Sequence, residues 1–324
     1  MSFVKQRRIV VTGGAGFIGT HTVRRLIDLG DAVLVVDDMR HACGEPLPQS
    51  VEFSSAEISS PEAAAAIAAF RPDAILHLAA QGGVSRSVRD PAGDAQINVV
   101  GTVALLKAAA DSGCRRFVFA SSGGAIYGRA KRLPSSEKSR PEPLSPYGAA
   151  KLAGEDYLGM FSRTFGLRTL ALRYSNVYGP FQDGTGEAGV VAITCERLLA
   201  GSPPEIRGDG EQTRDFVFVE DVAVANLRAL AGSAQGSLNI GTGRATSVKT
   251  VVDRLVEVAG YRGQIDFVEG RPGEVRATAL DARRATLQLH WSPEVGLDEG
   301  LRRTFVSFQE RFPAHREHAT TGPA

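Results

Sequence analysis

Along the first half of the chain, short apolar, β-branched runs alternate with helix-like segments. Arg8–Thr12, Ala32–Val36, Ala74–Leu78, Arg116–Ala120 and Arg168–Leu172 read as strands. Phe17–Leu29, Pro61–Phe70, Ala95–Ala110 and Tyr147–Phe165 read as helices. Strict alternation of this kind predicts a parallel sheet covered by helices on both faces. Ile9-Val10-Val11 and Val33-Leu34-Val35-Val36 are almost continuously apolar, as expected of strands buried on both sides.

Beyond about Tyr174 the pattern changes. Glycine and proline become frequent (Gly179-Pro180, Gly184, Gly186, Pro203-Pro204, Gly208, Gly210) and apolar runs shorten. This predicts a smaller, loop-rich lobe. Leu238-Asn239-Ile240 and a helix near Ser247–Ala259 are placed to return to the first lobe, so the boundary is expected to be interleaved. The expected division is residues 1–175, with 236–262 returning, for one lobe. Residues 176–235 and 263–312 form the other, and 313–324 a disordered polar tail.

Composition narrows the function classes. Apolar residues make up 43% of the chain, charged residues 23%, and the formal net charge is +1. Such a balance predicts no polyanion partner, and no basic cluster suggests nucleic acid. The basic start is followed by a strand rather than the long apolar region of a signal peptide, and no apolar run reaches the roughly 20 residues that span a bilayer. Cys43, Cys114 and Cys195 fit neither a disulfide framework nor a metal site. The expectation is a cytoplasmic enzyme without a metal.

The sharpest chemical signal is Gly13-Gly14-Ala15-Gly16-Phe17-Ile18-Gly19, directly after the first strand. Glycines at this spacing allow a tight turn, a close approach of backbone to a pyrophosphate, and close helix–strand packing. The positive helix terminus at Phe17 and Ile18 then meets the phosphates. About 20 residues on, the second strand ends in Asp37-Asp38. A carboxylate there accepts the ribose hydroxyls and repels a 2′-phosphate, which favours NAD over NADP. Asp37, nearest the strand end, is the better candidate.

Tyr147 and Lys151 lie four residues apart, on one helical face. An ammonium about 4 Å from the phenol, at an effective dielectric near 20, would favour phenolate by about 4 kcal/mol, or roughly 3 pK units. Tyr147 could then take a proton from a sugar hydroxyl as its carbon gives hydride to the cofactor. Ser121-Ser122-Gly123-Gly124 follow a strand at its carboxyl end, where ligands bind. A hydroxyl here is placed to bond the reacting group. Asn98 is a polar helix residue near this region. His77, among apolar neighbours, reads as a satisfied core histidine.

Together these motifs resemble the extended short-chain dehydrogenase/reductase superfamily and its NAD-dependent epimerase/dehydratase family, over about Arg8 to Phe312. The resemblance is carried by Gly13 to Gly19, His77-Leu78-Ala79-Ala80, Asn98 with Gly101-Thr102, Tyr147 with Lys151, and Arg173–Gly179. Asn176-Val177-Tyr178-Gly179-Pro180-Phe181-Gln182-Asp183, Gly186-Glu187-Ala188-Gly189-Val190-Val191, and Gly208-Asp209-Gly210 leading to Thr213-Arg214-Asp215-Phe216 are most similar to the UDP-galactose (UDP-glucose) 4-epimerase branch.

The resemblance implies a Rossmann-type doubly wound parallel sheet with a smaller, interleaved C-terminal substrate lobe. It implies 4-epimerisation of a UDP-sugar through a 4-keto intermediate, and a homodimer joined through the helices near Ala95 and Tyr147. Catalysis falls to Tyr147, Lys151 and Ser122. Beyond the glycine loop and Asp37, the cofactor would meet Asp38, Glu57, Ile58, Leu78, Ala79, Ala80, Asn98, Ser121 and Tyr174. The nucleotide sugar would meet Ser122, Gly123, Asn176, Gly189, Val190, Arg214, Arg271 and Glu274.

Three positions depart from the pattern. Gly123 fills the slot where many relatives carry Ser or Thr, so Ser122 is expected to replace that hydroxyl. Phe181 stands where Arg is common, and Glu57 where Asp is common. The competing readings are a uronic acid 4-epimerase or decarboxylase, which would want a cation near Phe181 and Asp183, a 4,6-dehydratase, and a non-catalytic NAD sensor. Gly123-Gly124 offer no proton for a dehydratase.

Overall fold

The computed structural model describes residues 6–184, 189–270 and 275–319. Seven parallel strands form the central sheet. β1 (Arg8–Thr12), β2 (Ala32–Asp37), β3 (Glu52–Ser55), β4 (Ala74–His77), β5 (Arg116–Ser122) and β6 (Arg168–Tyr174) stand in the order β6-β5-β4-β1-β2-β3, with Gly236–Ile240 beside β6 at the far edge. This is the doubly wound order, with a crevice where it reverses between β1 and β4.

Alternation along the strands builds two cores. Ile9, Val11, Val33 and Val35 point to one face, against α1 (Phe17–Asp28) and the helix Val219–Ala231. Val10, Leu34 and Val36 point to the other. That face is covered by α2 (Pro61–Phe70), α5 (Thr102–Asp111) and α7 (Pro146–Phe165), which contribute Ile67, Phe70, Leu105, Leu106, Leu158 and Phe161.

Several expectations are corrected. β3 lacks an apolar run because it is an edge strand with three of its four residues exposed. Before α5 lie α3 (Val84–Arg89), α4 (Pro91–Ala95) and a π-helical segment, Gln96–Gly101, so the helix expected from Ala95 to Ala110 begins in a wider turn. A π turn of this kind is frequent at functional sites. α6 (Gly123–Ile126) is one short turn after β5, and Ser121 and Ser122 are the last residues of that strand.

Interleaving takes a different form from the one expected. A parallel neighbour for β6 needs a covering crossover helix. Val219–Ala231 supplies it and packs on α1, within the span expected in the second lobe. The helix Val248–Ala259 does not return. It packs with Val190–Leu199 and Leu297–Ala319 around a separate core containing Tyr178, Cys195, Phe216, Val251, Leu255 and Phe305. The last helix runs on to Ala319, through the start of the expected tail. Residues 320–324 lie outside the described residues. All three cysteines are free and buried, and no described helix is long and apolar enough to cross a membrane.

α7 is fixed at both ends and in the middle. Ser145 caps it, its Oγ accepting from the Gly148 amide at 3.1 Å, with Pro146 in the first turn. Gly166, at φ 69°, ends it in the left-handed conformation. Midway, Glu155 pairs with Arg173 of β6 at 2.6 Å, with side chains only 10% and 6% exposed. Removing one partner of such a buried pair leaves the other charge uncompensated. Arg173→Met is therefore expected to lower the unfolding free energy by about 3–5 kcal/mol, read from the urea midpoint. An unchanged midpoint would show that the pair does not hold the helix.

Candidate functional site

The loop after β1 makes the turn that its glycines predict. Gly13 has φ +68°, and its amide donates to Val36 O at 2.9 Å. A Cβ on Gly13 would sit 2.6 Å from the Ala79 nitrogen, and one on Gly19 only 2.2 Å from the Gly13 oxygen. The first contact brings the Gly13 loop against Leu78-Ala79-Ala80 across the crevice, and the second lays α1 tightly on the turn. Gly16 caps α1 without a side chain, leaving Phe17 and Ile18 to open the helix. This cradle, closed to any side chain, fits the pyrophosphate of a dinucleotide.

Asp37 ends β2 and is 8% exposed. Its two oxygens accept from the amides of Ala15 at 3.0 Å and Met39 at 2.8 Å, so the carboxylate also ties the glycine loop to its own strand. Each oxygen retains capacity for a ribose hydroxyl. Sequence reasoning missed Arg40. Its guanidinium donates to Asp38 at 2.8 Å and bonds Glu57, so Asp38 and Glu57 hold a cation at the rim rather than standing as free acceptors. Ile58 packs against Gly101, where a Cβ would lie 2.7 Å from its methyl carbon.

Asn98 is buried in the π segment, and its amide is used within the chain. Its oxygen accepts from the Gln81 amide at 3.0 Å, while its nitrogen donates to Gln81 O at 3.0 Å and to Asp94 Oδ1 at 2.9 Å. It therefore shapes the loop after β4 through both of its donors. Tyr174 is also bonded within the chain. As the last residue of β6 it turns under the sheet, and its hydroxyl donates to Asn226 at 2.6 Å. Ser121 also points inward, to Glu155 at 2.6 Å. His77 is the satisfied core histidine expected, with ring nitrogens 2.8 Å from Thr12 Oγ1 and 3.0 Å from Thr102 Oγ1. Burial, followed by the nearby Lys151 charge, pushes it down to about 3.

Tyr147, Lys151 and Ser122 come together at the carboxyl end of β5. Ser122 lies near enough to the Tyr147 hydroxyl to favour its ionised form. Lys151 is 3% exposed, with Nζ 4.8 Å from the centre of the Phe119 ring and 5.7 Å from that of Tyr147. Without the dinucleotide, whose oxidised ring would add a second positive charge, the phenol is not acidic. Burial pushes it up to about 12, partly offset by Ser122, and the Asp94 carboxylate raises it further. Desolvation of the phenolate is the largest of these effects. Burial also pulls Lys151 down to about 8, with Asp94 opposing the fall.

Gly123 explains itself through Leu280. A Cβ there would press on a Leu280 methyl, so a side chain in this slot requires Leu280 to shift, and Ser122 is the hydroxyl beside Tyr147. The Asn176 oxygen lies 3.7 Å from where a Cβ on Gly124 would stand. Gly189 caps the helix that Val190 opens. Arg214 lies in the two-residue strand Thr213–Arg214, its Nη1 donating to Thr213 O at 2.8 Å. Arg271 and Glu274 lie outside the described residues. Phe181 stacks on His21 at 5.1 Å, beneath Arg24 and Arg311 at 5.0 and 5.2 Å. Sequence reasoning gave no role to Asp215. Fully buried, it accepts from the amides of Thr242, Gly243 and Leu280 at 2.8–3.0 Å and so places the Leu280 segment.

Comparison with known proteins agrees with this geometry. The UDP-glucose 4-epimerase of Mycolicibacterium smegmatis is 43% identical over 311 residues, covering 94% of this chain and 99% of that protein. The crystal structure of a UDP-glucose 4-epimerase from Thermotoga maritima with UDP-glucose superposes with a TM-score of 0.92 at 45% identity, covering 94% and 99% of the two chains. The Thermus thermophilus UDP-glucose 4-epimerase complex with NAD gives 0.88 at 40%, covering 93% and 99%. Residues 9–241 match the profile of one family across both the glycine loop and the Tyr147–Lys151 pair, and the chain belongs to that NAD dependent epimerase/dehydratase family.

Proposed function

We propose that this chain is an NAD-dependent UDP-glucose 4-epimerase, interconverting UDP-glucose and UDP-galactose. The observation that carries the reading is the trio Ser122, Tyr147 and Lys151 at the crevice edge beside the Gly13 cradle, in a chain more than 40% identical to such epimerases over nearly its full length. NAD, when bound, supplies the acceptor and donor of a hydride. The protein's part is to bind, orient and move one proton. Asp37 selects the adenosine ribose. With the positive charge of the bound dinucleotide and of Lys151 favouring its phenolate, the Tyr147 oxygen would take the proton of the C4 hydroxyl and later return it, with Ser122 beside it. The Lys151 ammonium adds positive charge beside the phenol.

The diphosphate end of the substrate is assigned to Asn176, Gly189, Val190 and Arg214, with Arg271 and Glu274 completing it. Arginine suits a diphosphate because its fork matches phosphate oxygens. Firm anchoring there, with few fixed contacts to the sugar, allows the ketone to turn and present its other face. Gly123 and Gly124 provide no acid or base for eliminating water, which weighs against a dehydratase. The elements around Tyr178, Phe216 and Phe305 serve as the substrate lobe. A homodimer is supported by Val100 of the π segment and Tyr157 of α7, exposed by 47% and 39% on elements that pack together. A cytoplasmic location suits the three free cysteines.

Incubation with C4-deuterated UDP-glucose, followed by NMR and mass spectrometry, is expected to give both epimers with deuterium kept at C4 and no net NADH. Label lost to solvent, or water lost from the sugar, would falsify the reading. Tyr147→Phe is expected to reduce turnover about 10²–10⁴-fold while nucleotide-sugar affinity stays within a few-fold.

The Gly123–Leu280 contact gives a separate expectation. Gly123→Thr overpacks against Leu280 and is expected to cost about 1–3 kcal/mol of stability along with most of the turnover. Adding Leu280→Ala opens the space and should recover part of both. Equal losses in the single and double variants, by thermal melting and rate, would show that Leu280 does not set the slot.

A further inference from the structure

The nucleotide crevice lies at the carboxyl ends of the strands. A second cavity, of about 370 Å³, lies at their opposite ends. Its wall includes Arg7 just before β1, Asp73 just before β4, Arg115 and Arg116 where β5 begins, and Arg168 where β6 begins. Two of these arginines are balanced. Arg7 grips both oxygens of Asp31, at 2.9 and 2.5 Å, and Arg115 pairs with Asp73 at 3.0 Å. Arg116 is different. It is 2% exposed, and its Nε and Nη1 donate to neutral carbonyls, those of Ala229 at 3.0 Å and Ala234 at 2.6 Å. Its Nη2 is buried and has no acceptor among the described residues. Ala229 lies in the last turn of the helix Val219–Ala231, whose dipole offers about half a negative charge. That leaves a buried guanidinium short of counter-charge, which is strongly destabilising. Its register partner on β6 is a second cation, Arg168, whose Nε donates to the Arg115 carbonyl at 3.3 Å. Among the described residues neither Arg116 nor Arg168 has a carboxylate at ion-pair distance. Burial, and then the Arg168 charge, pull Arg116 down to about 10.

We propose that this cavity binds a phosphate dianion between Arg116 and Arg168, at the end of the sheet away from the nucleotide crevice. Two unbalanced guanidiniums call for about two negative charges, which a phosphate group carries at and above neutral pH. The planar fork of arginine matches phosphate oxygens. A phosphate oxygen would give Nη2 the acceptor it lacks, and Arg168, which is exposed, is free to swing and close on the ion. The cavity is many times the roughly 30 Å³ of one water. A free phosphate ion and the end of a phosphate monoester present the same chemistry to it. Asp31 and Asp73 interrupt the basic surface, which suits one compact dianion rather than a long polyanion. Occupancy would also reach the rest of the fold. Arg116 ties β5 to the helix Val219–Ala231, which packs on α1 behind the Gly13 loop. Neutralising Arg116 would strengthen that tie and relieve the repulsion between neighbouring strands. The inference stands apart from the sugar reaction and uses none of its residues.

Arg168→Gln removes one of the two charges and leaves the bonds of Arg116 to Ala229 and Ala234 in place. The test is calorimetric titration of the full chain and of this variant with inorganic phosphate and, separately, with ribose 5-phosphate, in low chloride. Arg168 is at the far end of the strands from the Gly13 cradle, so phosphate bound at the crevice contributes equally to both proteins and the difference reports the cavity. Saturable binding in the parent is expected, weakened at least about 10-fold in Arg168→Gln. The tighter of the two ligands then identifies the source as the free ion or the ester. Equal isotherms in the two proteins, or no saturable binding of either ligand, overturn the proposal. Thermal melting is an independent check. Phosphate stabilises folded proteins generally by exclusion from their surface, but a bound ion adds a saturating rise in the midpoint. That rise is expected in the parent and not in the variant, and the same rise in both overturns the proposal. Neither readout needs turnover, so a chain inactive on UDP-sugars would still show whether the cavity holds phosphate.

Discussion

The buried ion pair of Glu155 and Arg173 is the interaction on which the placement of the chemistry depends. α7 carries Tyr147, Lys151 and Glu155 at successive four-residue steps, so one helical face presents the phenol, the ammonium and the anchor. Arg173 meets Glu155 from β6, and Ser121 reaches it from β5 at 2.6 Å. Arg173 also donates to Tyr127 at 2.8 Å, Tyr127 donates to Asn239 at 2.8 Å, and Asn239 holds the carbonyls of Ser135 and Asp281. One charge-assisted network thus runs from the helix that carries Tyr147 through two strands to the edge strand and the segment bearing Leu280. Desolvating two charges is expensive. The return is geometry: α7 cannot slide along the sheet without breaking bonds at every step.

Much of this was readable in the sequence because periodicity and glycine spacing report local requirements. The strand Arg8–Thr12 and helix Pro61–Phe70 match their expected bounds, and the Gly13 loop sits where its context placed it. What was not legible depends on distant partners. β3 has no apolar run because one edge faces solvent, and Val219–Ala231 looked like part of a second lobe until its partner α1 was known. Asn98, Ser121 and Tyr174 are polar residues near a ligand crevice, and sequence alone cannot say that their hydrogen bonds are spent on Gln81, Glu155 and Asn226. Gly123 looked like a missing hydroxyl, whereas with Leu280 pressed on it the position is a close contact.

The electrostatic expectation meets an opposing cost. Coulomb attraction between an ammonium and a phenolate falls with distance, while the cost of burying the phenolate does not depend on the lysine at all. With Nζ 5.7 Å from the ring centre and a carboxylate nearby, burial wins and Tyr147 stands at about 12. Before a cofactor is bound, burial thus favours the neutral phenol. That is a poor state for a permanent base and a suitable one for a group that must be a base in one half of a cycle and an acid in the other.

The two lobes divide the physical demands in a way that follows from their packing. The sheet, buried on both faces, gives the cradle at Gly13 and the carboxylate at Asp37 fixed positions relative to Tyr147. The second core, around Tyr178, Phe216 and Phe305, meets the sheet through short strands and loops rather than through a continuous ladder. Asp215 bridges the two by holding the amides of Thr242, Gly243 and Leu280. A cofactor kept through every cycle belongs on the rigid side. A sugar that must be gripped by its diphosphate yet turn at its ring belongs against the loops.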